Sequence, residues 1–545
     1  MRPRLQAIIC CRRPIWQNGK SSAASERPAS KRLLATPVAK WSRRKRPSRF
    51  KQIDDIVSFD PAEAYEFSNN EIDANCYRRL VTPDSNDATK IVGDLAEKWD
   101  VSPDGKTFTF HLRSDAKFET GRALTAEDVA WSFQRVVKLN KTPAFIVTQF
   151  GFTPDNVEKL IWANGEHTVV MQLPESAATS FVLYCLSANV GSIVDKQVVS
   201  QHAAGVDIGN DWLKTRTAGA GDYGMTDFQA SDHAILDANP HGSGKDLLHR
   251  VVVRHVADPS AQFLLLQKAD ADIARNLSAD QLKSLAGNAD FAISRAPQAT
   301  SLYIAINQAN ETLKKPEVVA AVKWAIDYDA IAKNITPNVW DVCQSFLPSC
   351  LPGAVTDKPY HKDTAKARDL LAKAGLANGF EITLDHSASW PYAAVAQVAQ
   401  ANLAEAGIKA QLLPGEEKQV VTKTRARQHQ MALLVWGSDY FDPNSNAQGY
   451  CENPDDSDAS KLRILAWRSH FVGPELTQMS RDAARELDPA KRIAAYQRMQ
   501  QLFMQRSPFA MLLSKNDVAV LRKGVSGLHV GALPDYTRYG GIRRT

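Results

Sequence analysis

Nowhere in this 545-residue chain do apolar residues run on for the roughly 18–20 positions that a membrane-spanning helix needs. A polytopic membrane protein is therefore excluded. The seven cysteines are too few for a disulfide framework, and an odd number cannot all pair internally. There is no Cys-x-x-Cys pair, no His-Glu-x-x-His helix and no Gly-x-Ser-x-Gly elbow. His241, His361, His386 and His429 lack metal-ligand spacing, so no metal and no cofactor is expected. Gly242-Ser243-Gly244-Lys245 resembles a phosphate loop only in part. Asn239 stands where the first glycine should be, and Asp246 stands where a magnesium-binding hydroxyl should be, so the segment reads as a surface turn.

What is present is ordinary for a globular chain: 44% hydrophobic, 23% charged and 8% aromatic residues. The length suggests about two to four domains. The net charge of +6 is unevenly spread. Residues 1–51 hold 15 Lys or Arg against the single acid Glu26, a net +14. The remaining 494 residues carry a net −8. The basic segment has no sustained helical or strand period. Its best apolar run, Ala7–Cys11, is shorter than the 7–15 residues of a signal-peptide core. Residues 1–51 thus read as a disordered or misassigned leader lacking a normal signal peptide, and nucleic acid is not an expected partner.

From about Gln52 the pattern is one of alternating strands and helices, which indicates an α/β architecture. Ser102-Pro103-Asp104-Gly105 has turn composition. Lys106–Leu112 then alternates, with Phe108, Phe110 and Leu112 on one face. Thr125 is placed to cap a helix with Asp128 at its third position and Val129, Phe133, Val136 and Val137 as its apolar stripe. Later, Ser301–Asn307 reads as a strand, and Pro316 opens a helix. Thr364 is placed to cap a helix that stops at Gly375. Ala393–Ala406 is helical up to Gly407, Ile408–Leu412 is a strand, and Asp488-Pro489 opens a late helix. Cys343 and Cys350 either close a small loop or remain free thiols.

The stretch LAEKWDVSPDGKTFTFHLRSDAKFETGRALTAEDVAWSFQRV, Leu95–Val137, closely resembles the signature of the extracellular solute-binding proteins of the peptide/nickel class. Ile306-Asn307-Gln308, Ala325-Ile326-Asp327, Lys366–Gly375 and Trp436–Pro443 follow in the same order. The resemblance runs from Gln52 to the C-terminus. It implies an α/β, two-lobed periplasmic binding protein (type II, cluster C) with an additional domain. By analogy, lobe I comprises 52–80, 193–299 and 516–545, the extra domain is 81–192, and lobe II is 300–515. The implied protein is a monomer and not an enzyme. It captures peptides or peptide-like solutes in the periplasm and hands them to the permease subunits of an ABC importer.

The resemblance also implies a site. Tyr65, Glu66 and Phe67, which follow Asp60-Pro61, correspond to the stretch that runs alongside the peptide. Val435, Trp436, Gly437 and Asp439 correspond to the strand and acidic residue that hold the peptide and its amino group. Asn307 is a further candidate, either touching ligand or orienting its strand. Asp439 has an alternative of its own, as the cap of the turn Asp439–Asn444. In dipeptide receptors an Arg for the ligand carboxylate precedes a Pro-Tyr, but here Trp390 precedes Pro391-Tyr392. That departure leaves the ligand open, with a nickel chelate, an opine or an oligosaccharide as alternatives within the fold. A hydrolase or peptidase is the alternative from another class, and the sequence offers no paired nucleophile and base for it.

Overall fold

The computed structural model describes residues 48–51 and 53–545, so the expectation for residues 1–47 lies outside the described residues. Ser48–Lys51 already forms a strand, parallel to both Arg250–His255 and Ile273–Ala274. Ordered architecture therefore begins before the boundary that charge alone suggested at residue 52. Among the described residues no helix is long and apolar enough to cross a membrane.

An eleven-stranded mixed sheet organises the chain. Its path runs through Ile408–Gly415, Phe380–Ser387, Met431–Gly437, Phe291–Ile306 and Phe509–Arg522. It continues through Ile273–Ala274, Ser48–Lys51, Arg250–His255, His233–Ala238 and Tyr223–Gln229. Trp340–Val342 pairs beside it on Phe509–Arg522. Phe291–Ile306 and Phe509–Arg522 are the long members, and they pair antiparallel from one half of the sheet into the other. Their register shifts twice, between Pro297 and Ser301, where proline has no N–H for the ladder, and again between Leu302 and Tyr303. Ser301–Asn307 was legible as a strand, but the strand starts ten residues earlier, at Phe291. The earlier part, Phe291–Pro297, alternates weakly and is mostly exposed, so it lacks the apolar run that marks the later part.

A separate four-stranded antiparallel sheet is ordered Ala96–Val101, Thr107–Leu112, Thr168–Gln172 and Ile161–Ala163. Phe108 and Phe110 are fully buried, as their alternation requires. The helix Ala126–Leu139 packs Val129, Phe133, Val136 and Val137 into the same core. Its start is fixed by the Asp128 carboxylate, which accepts from the Thr125 backbone N–H at 3.1 Å and from its hydroxyl at 3.0 Å. Further on, Asp363 rather than Thr364 caps the helix Thr364–Lys373. Its carboxylate accepts from the Lys366 N–H at 2.9 Å, which leaves Thr364 as the first helical residue. Gly407, at φ +98°, ends the helix Tyr392–Ala406 as expected. Cys343 and Cys350 are free, as are Cys76, Cys185 and Cys451.

Two buried carboxylates join these layers through forked arginines. Asp60 accepts from Arg135 Nη1 at 2.7 Å and Nη2 at 2.5 Å, and from Asn210 Nδ2 at 2.7 Å. Asp442 accepts from Arg492 Nη1 at 2.8 Å and Nη2 at 2.6 Å. Both aspartates are fully buried, so neither charge can fall back on water. Asp60→Asn keeps the shape and removes the charge that balances Arg135. It should lower stability by about 3–5 kcal/mol, the cost of leaving one buried partner unpaired. Denaturant unfolding followed by fluorescence checks this, and an unchanged midpoint would contradict it.

Candidate functional site

The segment after Asp60 is set by local hydrogen bonds. Asp60 Oδ1 accepts from the Ala62 N–H, and its backbone oxygen accepts from Glu63 and Ala64. This tight turn leads through Tyr65 to Glu66, which is in extended backbone, before the helix Phe67–Cys76 begins. Asp55 supports that helix from outside, its Oδ2 accepting from the Ser68 N–H at 3.0 Å.

The facing segment leaves the strand Met431–Gly437. Trp436 pairs with Ser301, and Gly437 with Thr300. The Ser438 N–H donates to the Ala299 carbonyl at 2.8 Å, and the Asp439 N–H to Ser445 Oγ at 2.8 Å. Tyr440 and Phe441, both fully buried, enter two different apolar clusters and clamp the segment from below. Gly437 lets the Phe67 ring approach closely. A Cβ there would lie 2.8 Å from Phe67 Cζ, so the phenyl ring occupies the space a side chain would need.

Between these segments lies a cavity of about 170 Å³. It brings together Tyr65, Glu66, Phe67, Val435, Trp436, Gly437 and Asp439, with Asn189 and Asp535 across from them. Asn307 is not part of it. Its buried amide donates to the carbonyls of Arg427 at 3.1 Å and His429 at 2.8 Å, and so pins the loop that precedes the strand. Nor does Asp439 cap the following helix. Asp442 does so, accepting from the Asn444 N–H at 2.9 Å.

Asp439 differs electrostatically from the paired carboxylates of the scaffold. Among the described residues its one side-chain hydrogen-bond partner is the Tyr65 hydroxyl, which donates to Oδ1 at 2.5 Å. Among the described residues no cationic nitrogen comes within ion-pairing distance of it. Burial pushes its pKa up to about 6, against the opposing effects of the Tyr65 hydrogen bond and the Arg468 charge. Burial, with the Asp439 charge second, also raises the Tyr65 phenol well above its usual range. Glu66 is likewise raised, first by burial and then by Asp55.

A second compartment of about 350 Å³ adjoins the first and shares Glu66, Phe67, Val435 and Pro534 with it. Lys51, Arg275 and Lys515 supply its cations. Lys51 is held by Glu71 at 2.7 Å, and Arg275 by Glu71 at 3.1 Å and by Asp517. Lys515 has no carboxylate within ion-pairing distance among the described residues. Burial moves its ammonium below the usual lysine range. No sequence signal pointed to Lys515, because it sits in the polar stretch Ser514–Asp517 in the middle of a strand and belongs to no motif. Tyr392 lines this compartment, whereas Trp390, which replaces the arginine of dipeptide receptors, does not. Among the described residues no group of three or more His, Cys, Asp or Glu could hold a metal ion. At the Gly242–Lys245 turn, the Asp222 carboxylate already accepts from the Gly244 N–H at 2.7 Å, which disfavours a phosphate there.

The raised pKa of Asp439 gives a signed expectation. A carboxyl titrating higher in the folded than in the unfolded chain penalises the fold once ionised. The penalty is absent below the unfolded value of about 3.9 and grows as pH rises from there through about 6. Asp439→Asn retains an oxygen to accept from Tyr65 and removes the buried charge. The ligand-free variant should melt above wild type at about pH 8 and level with it near pH 4. Thermal midpoints across that range check this, and a constant offset would refute it.

Comparison with known proteins bears on what such a site is for. Residues 90–458 match the model of the bacterial extracellular solute-binding proteins, family 5. The probable D,D-dipeptide-binding periplasmic protein DdpA of Escherichia coli is 27% identical over 481 residues, covering 87% of this chain and 89% of that one. Di/tripeptide-binding protein 1 of Pseudomonas aeruginosa is 26% identical over 501 residues, covering 87% and 90%. A dipeptide-binding protein from a Pseudoalteromonas species, solved in complex with Met-Leu, superposes with a TM-score of 0.77 at 20% identity over 92% of this chain and 100% of that one. The fold is thus the two-lobed α/β type of periplasmic binding proteins, and the relatives are substrate-binding proteins. The chain belongs to the bacterial extracellular solute-binding proteins, family 5.

Proposed function

We propose that the cleft binds a peptide or peptide-like solute, with its α-ammonium on Asp439 and its carboxylate end reaching Lys515. The single observation that carries this reading is a carboxylate without a cationic partner inside a cavity, while the scaffold carboxylates Asp60 and Asp442 are each forked by an arginine. An ammonium would supply the missing charge and three donors. Lys515 supplies the opposite pole in the adjoining compartment, which suits a zwitterion and accounts for the missing arginine before Pro391-Tyr392. Strand-like bonding of the solute along Val435–Gly437 would add affinity without reading side chains.

In this reading Tyr65, Glu66 and Phe67 belong to one lobe, and Val435, Trp436, Gly437 and Asp439 to the other. The lobes meet near 299/300 and 515/516, within the two long strands. The loaded protein works as a monomer outside the cytoplasmic membrane and delivers its solute to ABC importer permease subunits, which sense lobe closure. Catalysis has no support in the cavity. The Ser438 hydroxyl donates to Asn446 Oδ1 at 2.6 Å, so it has no base to activate it.

Calorimetric titration with a dipeptide, its N-acetyl form and its C-terminal amide tests this reading. Asp439→Asn should weaken the free dipeptide at least about tenfold more than the N-acetyl form. Lys515→Gln should erase the preference of wild type for the acid over the amide. Equal losses for all three ligands, or no binding of any of them, would overturn the reading, and cleavage of the peptide would favour the hydrolase instead.

A further inference from the structure

The segment Gly531–Arg538 is a wall with a cavity on each side. Leu533, Pro534 and Asp535 line the cleft described above. Ala532, Tyr536 and Arg538 line a separate cavity of about 550 Å³, closed on its other sides by the turn around Asp84 and by Arg295–Pro297 of the long strand. This cavity is basic, although the body of the chain is acidic. Its charged and titratable lining includes Arg295, Arg538 and His529, with Asp84 as its carboxylate. Asp84 is committed elsewhere, its Oδ1 accepting from the N–H groups of Asn86 at 2.8 Å and Asp87 at 3.0 Å.

Arg538 is both fixed and incompletely satisfied. It stands opposite His529 in an isolated antiparallel bridge, which sets the two residues side by side. Its Nη1 donates to the carbonyls of Asp535 at 2.8 Å and Thr537 at 3.4 Å, which orients the guanidinium. Nε and Nη2 have no hydrogen-bond partner among the described residues. The carboxylates whose charge reaches it, Asp94 and Asp535, pair instead with Arg78 at 2.6 Å and with Arg79 at 3.5 Å. Burial first, and then the Arg79 charge, push Arg538 down to about 10 against the opposing charges of Asp94 and Asp535. Arg295 is little better served, with only Asp341 at 3.7 Å.

We propose that this cavity is a second, anion-binding site, taking a small solute with a carboxylate or phosphate group on the open edge of Arg538 and on Arg295. A guanidinium edge held in place by its other nitrogen is suited to bidentate contact with an oxyanion. The neutral His529 adds a donor beside it, since burial holds its pKa below the usual histidine value. The site is distinct from the peptide cleft and shares with it only the wall segment.

The test is calorimetric titration of the full chain with sodium phosphate and, separately, sodium succinate, each against a sodium chloride control of equal ionic strength. One saturable site is expected, and the stronger of the two ligands identifies the oxyanion class. Arg538→Lys should weaken it at least about tenfold, because a single ammonium cannot reproduce the fork. Arg295→Gln, at a half-exposed position, should weaken it severalfold with an unchanged melting midpoint, and decides the matter if Arg538→Lys fails to fold. Lys515→Gln should leave anion binding unaltered. The proposal is overturned by the absence of saturable binding with either anion, by retention of binding in both arginine variants, or by loss of binding in Lys515→Gln, which would put the anion in the peptide cleft.

Discussion

The antiparallel pairing of Phe291–Ile306 with Phe509–Arg522 is the constraint on which the other features depend. Each strand belongs to both halves of the large sheet, so the halves are joined by main-chain hydrogen bonds and not by a flexible tether. The ladder shifts at Pro297–Ser301 and again at Leu302–Tyr303, the first beside the point where Thr300 meets Gly437. The cavity therefore adjoins a stretch where the pairing is irregular but the sheet still continuous. A cleft built this way can change its width while its walls keep their internal registers, which is the physical requirement of a solute clamp.

Charge separates scaffold from site. At Asp60 and Asp442 the chain encloses a carboxylate and supplies the arginine that offsets it, with hydrogen bonds to spare. At Asp439 it encloses a carboxylate and supplies a phenol as hydrogen-bond donor, with the Arg468 charge acting from beyond ion-pairing distance. Asp73, buried, and Glu119, partly buried, also lack an ion pair among the described residues. Asp439 differs from them in lining the cavity between the two motif segments, and that placement is what supports the proposed site. Lys515 and Arg538 repeat the pattern with the opposite sign, in two further compartments.

Much of this was legible in the sequence, and the rest was not for definite reasons. The half-buried strand at Phe108–Leu112 and the helix after Thr125 announce themselves because alternation and capping are local signals. Seven of the eight candidate site residues line one cavity because they lie in two short motifs, each of which folds as a unit. Asn307 belongs to a third motif and proves to serve the backbone of Arg427 and His429. A motif match locates a residue but does not distinguish support from contact. The first part of the strand from Phe291 has little apolar pattern, because its partner strand and not a core holds it in place. The cap at Asp363 shows the usual one-residue uncertainty between adjacent Asp and Thr, settled here by which oxygen reaches the Lys366 N–H. Lys515 and Arg538 carry no local signature at all, since what distinguishes them is the absence of a partner brought by distant chain.

The bond from the Tyr65 hydroxyl to Asp439 has a consequence for the idle protein. It links chain from near residue 65 to chain from near residue 439 at the wall of the cavity. In the proposed reading a solute ammonium must displace or share that hydroxyl, which sets a threshold for neutral and weakly basic molecules. An ammonium passes it because a charged donor is a stronger carboxylate partner than a phenol.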